Sequence, residues 1–253
     1  MSVTRLAWVA LVAALASTRT LAAGMAADAQ ADTEHAPRAE DRPFKATLGY
    51  YNQTGGDVGF DVNLRYSSIL GNLWAGYFDS HDLDTRQGRV GWDRAFVFDP
   101  VRVLPSVQWA SGGFLGGAIV AEIGLPWFVS AGIGRTNEKP YVNLNFDPND
   151  AYLVATGRRG EDGSLAMAQW IVGERIASGQ KVGHLIYRRP IGSADRLTFD
   201  VSYKEGPVDD VTIHKVGVSV GYDWDRWFAR VAYDPNVNFT PADMWRVSVG
   251  RRF

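Results

Sequence analysis

The chain has 253 residues, 46% hydrophobic and 21% charged, with a formal net charge of −2 and no cysteine. The missing cysteine excludes a disulfide framework and a thiolate metal site, and the near-neutral, slightly acidic balance argues against a nucleic-acid partner. Beyond the first forty residues nothing approaches the ~18 continuous apolar residues of a membrane helix, so any membrane crossing falls to strands.

The N-terminus reads as an export signal. Arg5 precedes the apolar run "LAWVALVAALA" (Leu6 to Ala16), and small residues follow. Cleavage sites of the A-x-A kind occur at Ala14-Leu15-Ala16 and Ala29-Gln30-Ala31, and "TLAAG" is a further option. A run of this length is too short to span a bilayer and is typical of a removed secretory signal. Residues 1–31 are therefore assigned to the signal; losing Arg5, Arg19 and Asp28 with them leaves a net charge of −3. "DTEHAPRAEDRP" (32–43) follows as a polar lead-in without a core.

From Phe44 to Phe253 apolar residues alternate with polar ones. In "VGFDVNLRY" Val58, Phe60, Val62, Leu64 and Tyr66 share one face, opposite Gly59, Asp61, Asn63 and Arg65. "RLTFDVSY" and "HKVGVSVGY" repeat the pattern. Period two means extended strands with one apolar and one polar face. In chain order the strands are predicted near 44–52, 58–66, 72–79, 86–97, 102–110, 114–124 and 127–135. The second half continues with 150–158, 164–174, 182–190, 195–203, 211–222, 225–234 and 243–253. Gly, Pro, Asn, Asp and Ser cluster between them, in "QTGGD", "SHDLDT", "GLP" and "DPNVNFTPAD" among others. About fourteen strands fit the length, and twelve longer ones are the alternative, because "KPYVNLNFDP" and "GGFLGGAIV" parse more than one way.

A soluble barrel would turn its apolar face inward. About fourteen strands, however, enclose more width than side chains fill with a dry core. The polar face also carries Asp61, Arg65, Arg196, Asp200, Arg230 and Arg246, which suit a wet or salt-bridged lumen. Tyr66, Tyr203, Tyr222, Trp227, Tyr233 and Trp245 sit at strand ends, where interfacial girdles belong. The predicted fold is thus all-β: a transmembrane antiparallel up-and-down β-barrel, closed because an open edge in lipid leaves amides unpaired.

The closing "MWRVSVGRRF" resembles the C-terminal signature of Gram-negative outer-membrane proteins. That resemblance implies reading by the barrel-assembly machinery through Trp245, Val247, Val249 and Phe253, after periplasmic chaperones have carried the unfolded chain. Arg251 departs from the pattern, and its stem can snorkel to phosphates at the rim. The stretch 134–150, "GRTN…YVNLNFDPND", is similar to a group of uncharacterised proteobacterial exported proteins, a likeness that implies no activity. The barrel class further implies periplasmic termini, with "SHDLDT", "TNEKPYVNLNFDPND", "EGPVDD" and "DPNVNFTPAD" outside, toward lipopolysaccharide.

The chain carries 21 Arg against five Lys. Inward guanidinium forks favour an anion path; alternatively they pair with Asp61, Asp93 and Asp200 and brace the barrel. Asp147, Asn149, Asp150, Asp234 and Asn236 offer oxygens for Ca²⁺ or cation-linked lipopolysaccharide, but Asp-Pro-Asn is also plain turn chemistry, and no EF-hand spacing is present. Of His35, His81, His184 and His214, none makes the His-x-Ser arrangement of outer-membrane phospholipases. His81 with Asp82 or Asp84 and the pair Asp209-Asp210 faintly resembles the omptin proteases. "GGFLGG" lacks the Lys-Ser/Thr ending of a phosphate loop, and no cofactor is expected. The leading expectation is a porin-like channel for small hydrophilic solutes with an anion preference, lined by Asp61, Arg65, Arg196, Asp200, Arg230 and Arg246. Second is a closed structural or adhesive barrel, and third a rim enzyme acting on lipid or peptide.

Overall fold

The computed structural model describes residues 42–81, 84–192 and 195–253. The signal at 1–31, nearly all of the lead-in and Asp82 lie outside the described residues. Fifteen strand segments follow in chain order: β1 (Phe44–Gln53), β2 (Val58–Ser68), β3 (Gly71–Ser80), β4 (Thr85–Asp93), β5 (Phe96–Phe98), β6 (Val101–Ala110), β7 (Phe114–Ile123) and β8 (Trp127–Thr136). Then come β9 (Ala151–Arg159), β10 (Leu165–Gly173), β11 (Lys181–Ile191), β12 (Asp195–Val208), β13 (Val211–Trp224), β14 (Trp227–Asp234) and β15 (Met244–Arg252).

Successive strands pair antiparallel, and β1 pairs with β15 from Lys45↔Arg252 to Gln53↔Met244, closing the sheet on itself. Phe44 and Phe253 exchange backbone hydrogen bonds of 3.0 and 2.9 Å at the seam. β4 and β5 both pair with β6 in one continuous register and form a single wall strand. The closed barrel therefore has fourteen strands and no free edge.

The single strand expected over 86–97 is interrupted at Arg94–Ala95, and the cause lies across the ladder. The Arg94 N–H donates to the Pro105 carbonyl at 3.2 Å, but Pro105 has no N–H to give in return. Register is kept on both sides of the gap, so the wall continues without a bulge.

Alternation places apolar side chains on the outside, where Leu48, Val62, Val154 and Leu185 are all more than half exposed. Two rings of aromatics bound this belt. Phe44, Tyr66, Trp127, Tyr222, Trp227 and Phe253 mark the end that carries the termini; Tyr50, Phe60, Trp109, Tyr152 and Trp245 mark the other. Such a belt between aromatic rings is the surface of a transmembrane barrel.

The inner face is not uniform. The expected charged interior appears on β1–β4 and β11–β15. On β6–β10, Leu104, Val120, Phe128, Leu153, Leu165, Met167 and Ile171 instead pack into an apolar cluster inside the wall. The segments "AYLVATGRR" and "LAMAQWIVG" are apolar on both faces, so both lipid and lumen meet hydrocarbon there. Inward glycines let neighbouring rings lie flat against the wall: a Cβ on Gly91 would sit 2.4 Å from the Trp74 ring, and one on Gly250 would sit 2.1 Å from Phe228.

Candidate functional site

The longest connection, 137–150, does not stand outward from the loop end. It turns into the barrel. Tyr141 is 2% exposed and stacks on Phe114 with ring centroids 4.4 Å apart. Leu144 and Phe146 join Tyr51, Phe78, Val237 and Met244 in a second apolar cluster, which ties the connection to β1, β3 and β15. Phe146 holds a left-handed φ of 71°, a conformation unfavourable for a bulky residue and kept only where surroundings over-determine it. Here that determinant is the packing of its buried ring.

Polar contacts fix the segment at its tip and its stem. Asn143 and Asn238 interlock: the Asn143 amide donates to Asn238 Oδ1, and Asn238 Nδ2 donates to the Asn143 carbonyl at 2.9 Å. Arg246 Nη1 donates to the Leu144 carbonyl at 2.9 Å while its guanidinium lies 4.8 Å from the Phe146 ring centre. His184 joins segment to wall, with Nε2 2.9 Å from Asp147 and Nδ1 3.0 Å from Asp200. At the stem, buried Asp150 accepts from the Thr136 N–H at 3.2 Å and from Arg175 Nε at 2.7 Å. Arg175 also donates to the Thr136 carbonyl at 2.9 Å, tying both ends of the connection to one guanidinium. Burial pushes the Tyr141 phenol up to about 12, against the pull of the nearby Arg89 guanidinium, so it stays protonated beneath the loop end.

Below this roof a cavity of about 320 Å³ runs to the terminal rim, where Lys45, Arg196 and Arg252 line it. All six residues named as candidate lining (Asp61, Arg65, Arg196, Asp200, Arg230 and Arg246) border this one cavity. Arg89 pairs with Asp61, and Arg65 stands 3.6 Å from Asp93, which also accepts from Asn72 at 2.6 Å. Asp223 receives Arg196 at 3.2 Å and Arg252 at 2.8 Å. Arg230 donates to the Ser219 hydroxyl at 3.2 Å. Among the described residues the cavity is bordered by eight Arg and Lys side chains against five Asp carboxylates. Within the apolar sector, Glu122 takes a two-pronged contact from Arg159 (2.6 and 2.8 Å) and a third from Arg102 at 3.3 Å.

The other sequence candidates are spent on internal contacts or kept apart. Asp147 and Asp150 hold the roof, and Asp234 pairs at 2.5 Å with Lys204, which is 1% exposed. Of the residues proposed for Ca²⁺, Asp147, Asp150, Asp234 and Asn236 meet protein partners while the Asn149 amide is buried without a hydrogen bond, and no group of three or more metal-ligating residues exists among the described residues. His81 and Asp84 follow β3, while Asp209-Asp210 follows β12, six strands away around a ring of fourteen. The ring sets them on nearly opposite walls. "GGFLGG" is a hairpin entering β7, with Gly112 and Gly113 at φ 86° and 81°. Trp245, Val247 and Val249 face outward on β15, and the Phe253 ring stacks on Phe44 at 5.9 Å.

Sequence reasoning missed the roof, His184, and the Glu122–Arg159 pair. One signal was available: Tyr141, Val142, Leu144 and Phe146 are too apolar for a connection left in water.

No family model and no curated protein matches the chain. Solved structures do. The chain is similar to the Acinetobacter baumannii outer membrane protein Omp33, at a TM-score of 0.53 and 13% identity over 84% of this chain and 98% of that one. It is also similar to the CymD monoaromatic hydrocarbon channel (TM-score 0.49, 10% identity, 84% and 89% covered). A third, OprD of Pseudomonas aeruginosa, aligns at a TM-score of 0.45 and 9% identity, with 85% and 94% covered. At such identities the likeness to Omp33 speaks for architecture, and the architecture is that of a Gram-negative outer-membrane β-barrel.

Proposed function

We propose that the chain is an outer-membrane channel for small hydrophilic solutes, anion-preferring, whose path is narrowed by the inward segment 137–150. The observation that carries this reading is the charged cavity within a closed wall, bordered by more guanidinium and ammonium groups than carboxylates. Fixed charge of one sign along a narrow path of low dielectric attracts the opposite ion and repels its own. Asp61, Arg65, Arg196, Asp200, Arg230 and Arg246 are its lining, the arginines as anion contacts, with Asp61 paired to Arg89 and Asp200 to His184.

In this reading both termini lie in the periplasm, and the 137–150 and 235–243 connections close the outer side toward lipopolysaccharide. Trp245, Val247, Val249 and Phe253 are what the assembly machinery reads, after periplasmic chaperones have delivered the chain. Single-channel recording in planar bilayers tests the function. Discrete steps with chloride favoured in a salt gradient support it, and a current that stays at baseline removes it.

The second reading, a closed structural or adhesive barrel, has its own support: the connection after β8 packs Leu144 and Phe146 against Tyr51, Phe78 and Met244 on β1, β3 and β15, on the other side of the ring. A baseline current that persists after Phe146→Ala favours it. The rim-enzyme reading has no assembled constellation behind it among the described residues. Lipase or protease activity lost in His81→Ala would restore it.

A further inference from the structure

The cavity beneath the roof has two unlike walls. β2, β12, β14 and β15 supply Arg65, Arg196, Arg230, Arg246 and Arg252. β10 and β11 supply Leu165, Met167 and Ile186, with His184 and Arg188 beside them on β11, and Trp74 on β3 adds an aromatic surface on the Arg65 side. β10 stands seven strands from β2 in the ring of fourteen, so the apolar ledge lies across the lumen from Arg65. Its side chains continue the apolar cluster of the β6–β10 sector, which fixes them in place.

A path for inorganic ions alone has no use for such a ledge, because apolar surface offers a hydrated ion nothing. We infer that this cavity is a binding site for small amphiphilic carboxylates, with the carboxylate on the arginine wall and the alkyl part on Leu165, Met167 and Ile186. Guanidinium groups suit the head because they present paired donors to a planar carboxylate. Arg230 and Arg246 stand on adjacent strands and both border the cavity, so their guanidinium groups can converge on one carboxylate. The tail gains by leaving water for the ledge. A volume of about 320 Å³ suits a ligand of this kind, at the low end of the ~300–1,000 Å³ usual for small-molecule sites. The inference rests on the channel reading for how the ligand arrives, but binding itself does not require permeation.

The test is calorimetry on the full-length protein in lipid nanodiscs, titrated with sodium hexanoate, sodium acetate and hexanamide, with empty nanodiscs as blank. Hexanoate is expected to bind roughly tenfold tighter than acetate, since partial burial of four extra methylenes supplies at least that factor. Hexanamide, lacking the charge, binds more weakly than hexanoate. Ile186→Asn brings hexanoate down toward acetate and leaves acetate unchanged, and Arg230→Gln weakens both anions together. Met167→Gln repeats the ledge test if Ile186→Asn does not assemble. Hexanoate and acetate within twofold of each other, or hexanoate binding indifferent to these variants, overturns the site. Conductance of the same preparation separates the two readings: hexanoate binding with no current ends the channel and keeps the site, and current with no hexanoate preference does the reverse.

Discussion

Two sectors of one lumen solve the same closure problem differently. On β1–β4 and β11–β15 many inward residues are charged and border a cavity, with pairs such as Arg196–Asp223 partly open to solvent and others, Lys204–Asp234 among them, buried. On β6–β10 the inward residues are aliphatic and pack on one another, leaving Glu122 with Arg159 and Arg102 as a buried charged island. The backbone ladder is equivalent in both. What differs is the cost of an unpaired charge: small where water can reach it and large where hydrocarbon surrounds it.

That contrast is sharpest when one carboxylate is removed from each side. Glu122→Ala strands two buried guanidiniums and is expected to cost about 3–5 kcal/mol, read as a lower denaturant midpoint in detergent. Asp223→Ala, at the open rim, is expected to cost about 1 kcal/mol. Equal losses would mean that the two sectors are equally dry. Next in size is Phe146→Ala, which removes the ring at the centre of the roof cluster; it should raise single-channel conductance several-fold while the barrel stays folded. A smaller change follows from Arg230→Glu, which reverses one charge in the polar sector. The reversal potential in a salt gradient should move toward cations, whereas Gln169→Glu in the apolar sector should impair assembly rather than selectivity.

The smallest effect lies outside both sectors, at Asp243 in the connection before β15. The Asn236 backbone N–H at 2.9 Å, joined by the Tyr233 hydroxyl, holds this carboxyl below the usual carboxylate range. Its stabilisation is present above the ordinary carboxylate range and is lost as pH falls through its own lower value. Asp243→Asn should therefore lower the neutral plateau slightly and flatten the acid limb of the stability–pH profile, with the acid end unchanged. As Asp243 is only partly buried, the change is modest.

The wall was legible in the sequence because a strand's period is local. Alternation in "VGFDVNLRY" fixed which side of β2 meets lipid, and glycine, proline and aspartate clusters marked nearly every turn. The break between β4 and β5 was not legible, since it depends on Pro105 in the neighbouring strand. The aliphatic sector could have been noticed from two strands apolar on both faces. The roof was harder. Its apolar residues hinted at burial, but His184 meets Asp147 across 37 positions of sequence, and Glu122 meets Arg159 across the same separation. Such contacts follow from shear and closure of the barrel, which no local pattern encodes. The six lining residues could be placed on the inner face from period two alone. Their partners could not.

One proposition supports everything above: ions and water occupy the middle of this cylinder while hydrocarbon wets its exterior. The chain has no cysteine, so single cysteines can be placed along β13 and challenged with membrane-impermeant anionic and cationic thiosulfonates in native membranes. The account predicts that Ser219→Cys reacts, faster with the anionic reagent, and that Val218→Cys and Val220→Cys do not. Reaction at 218 and 220 with silence at 219, or equal reaction at all three, would contradict it.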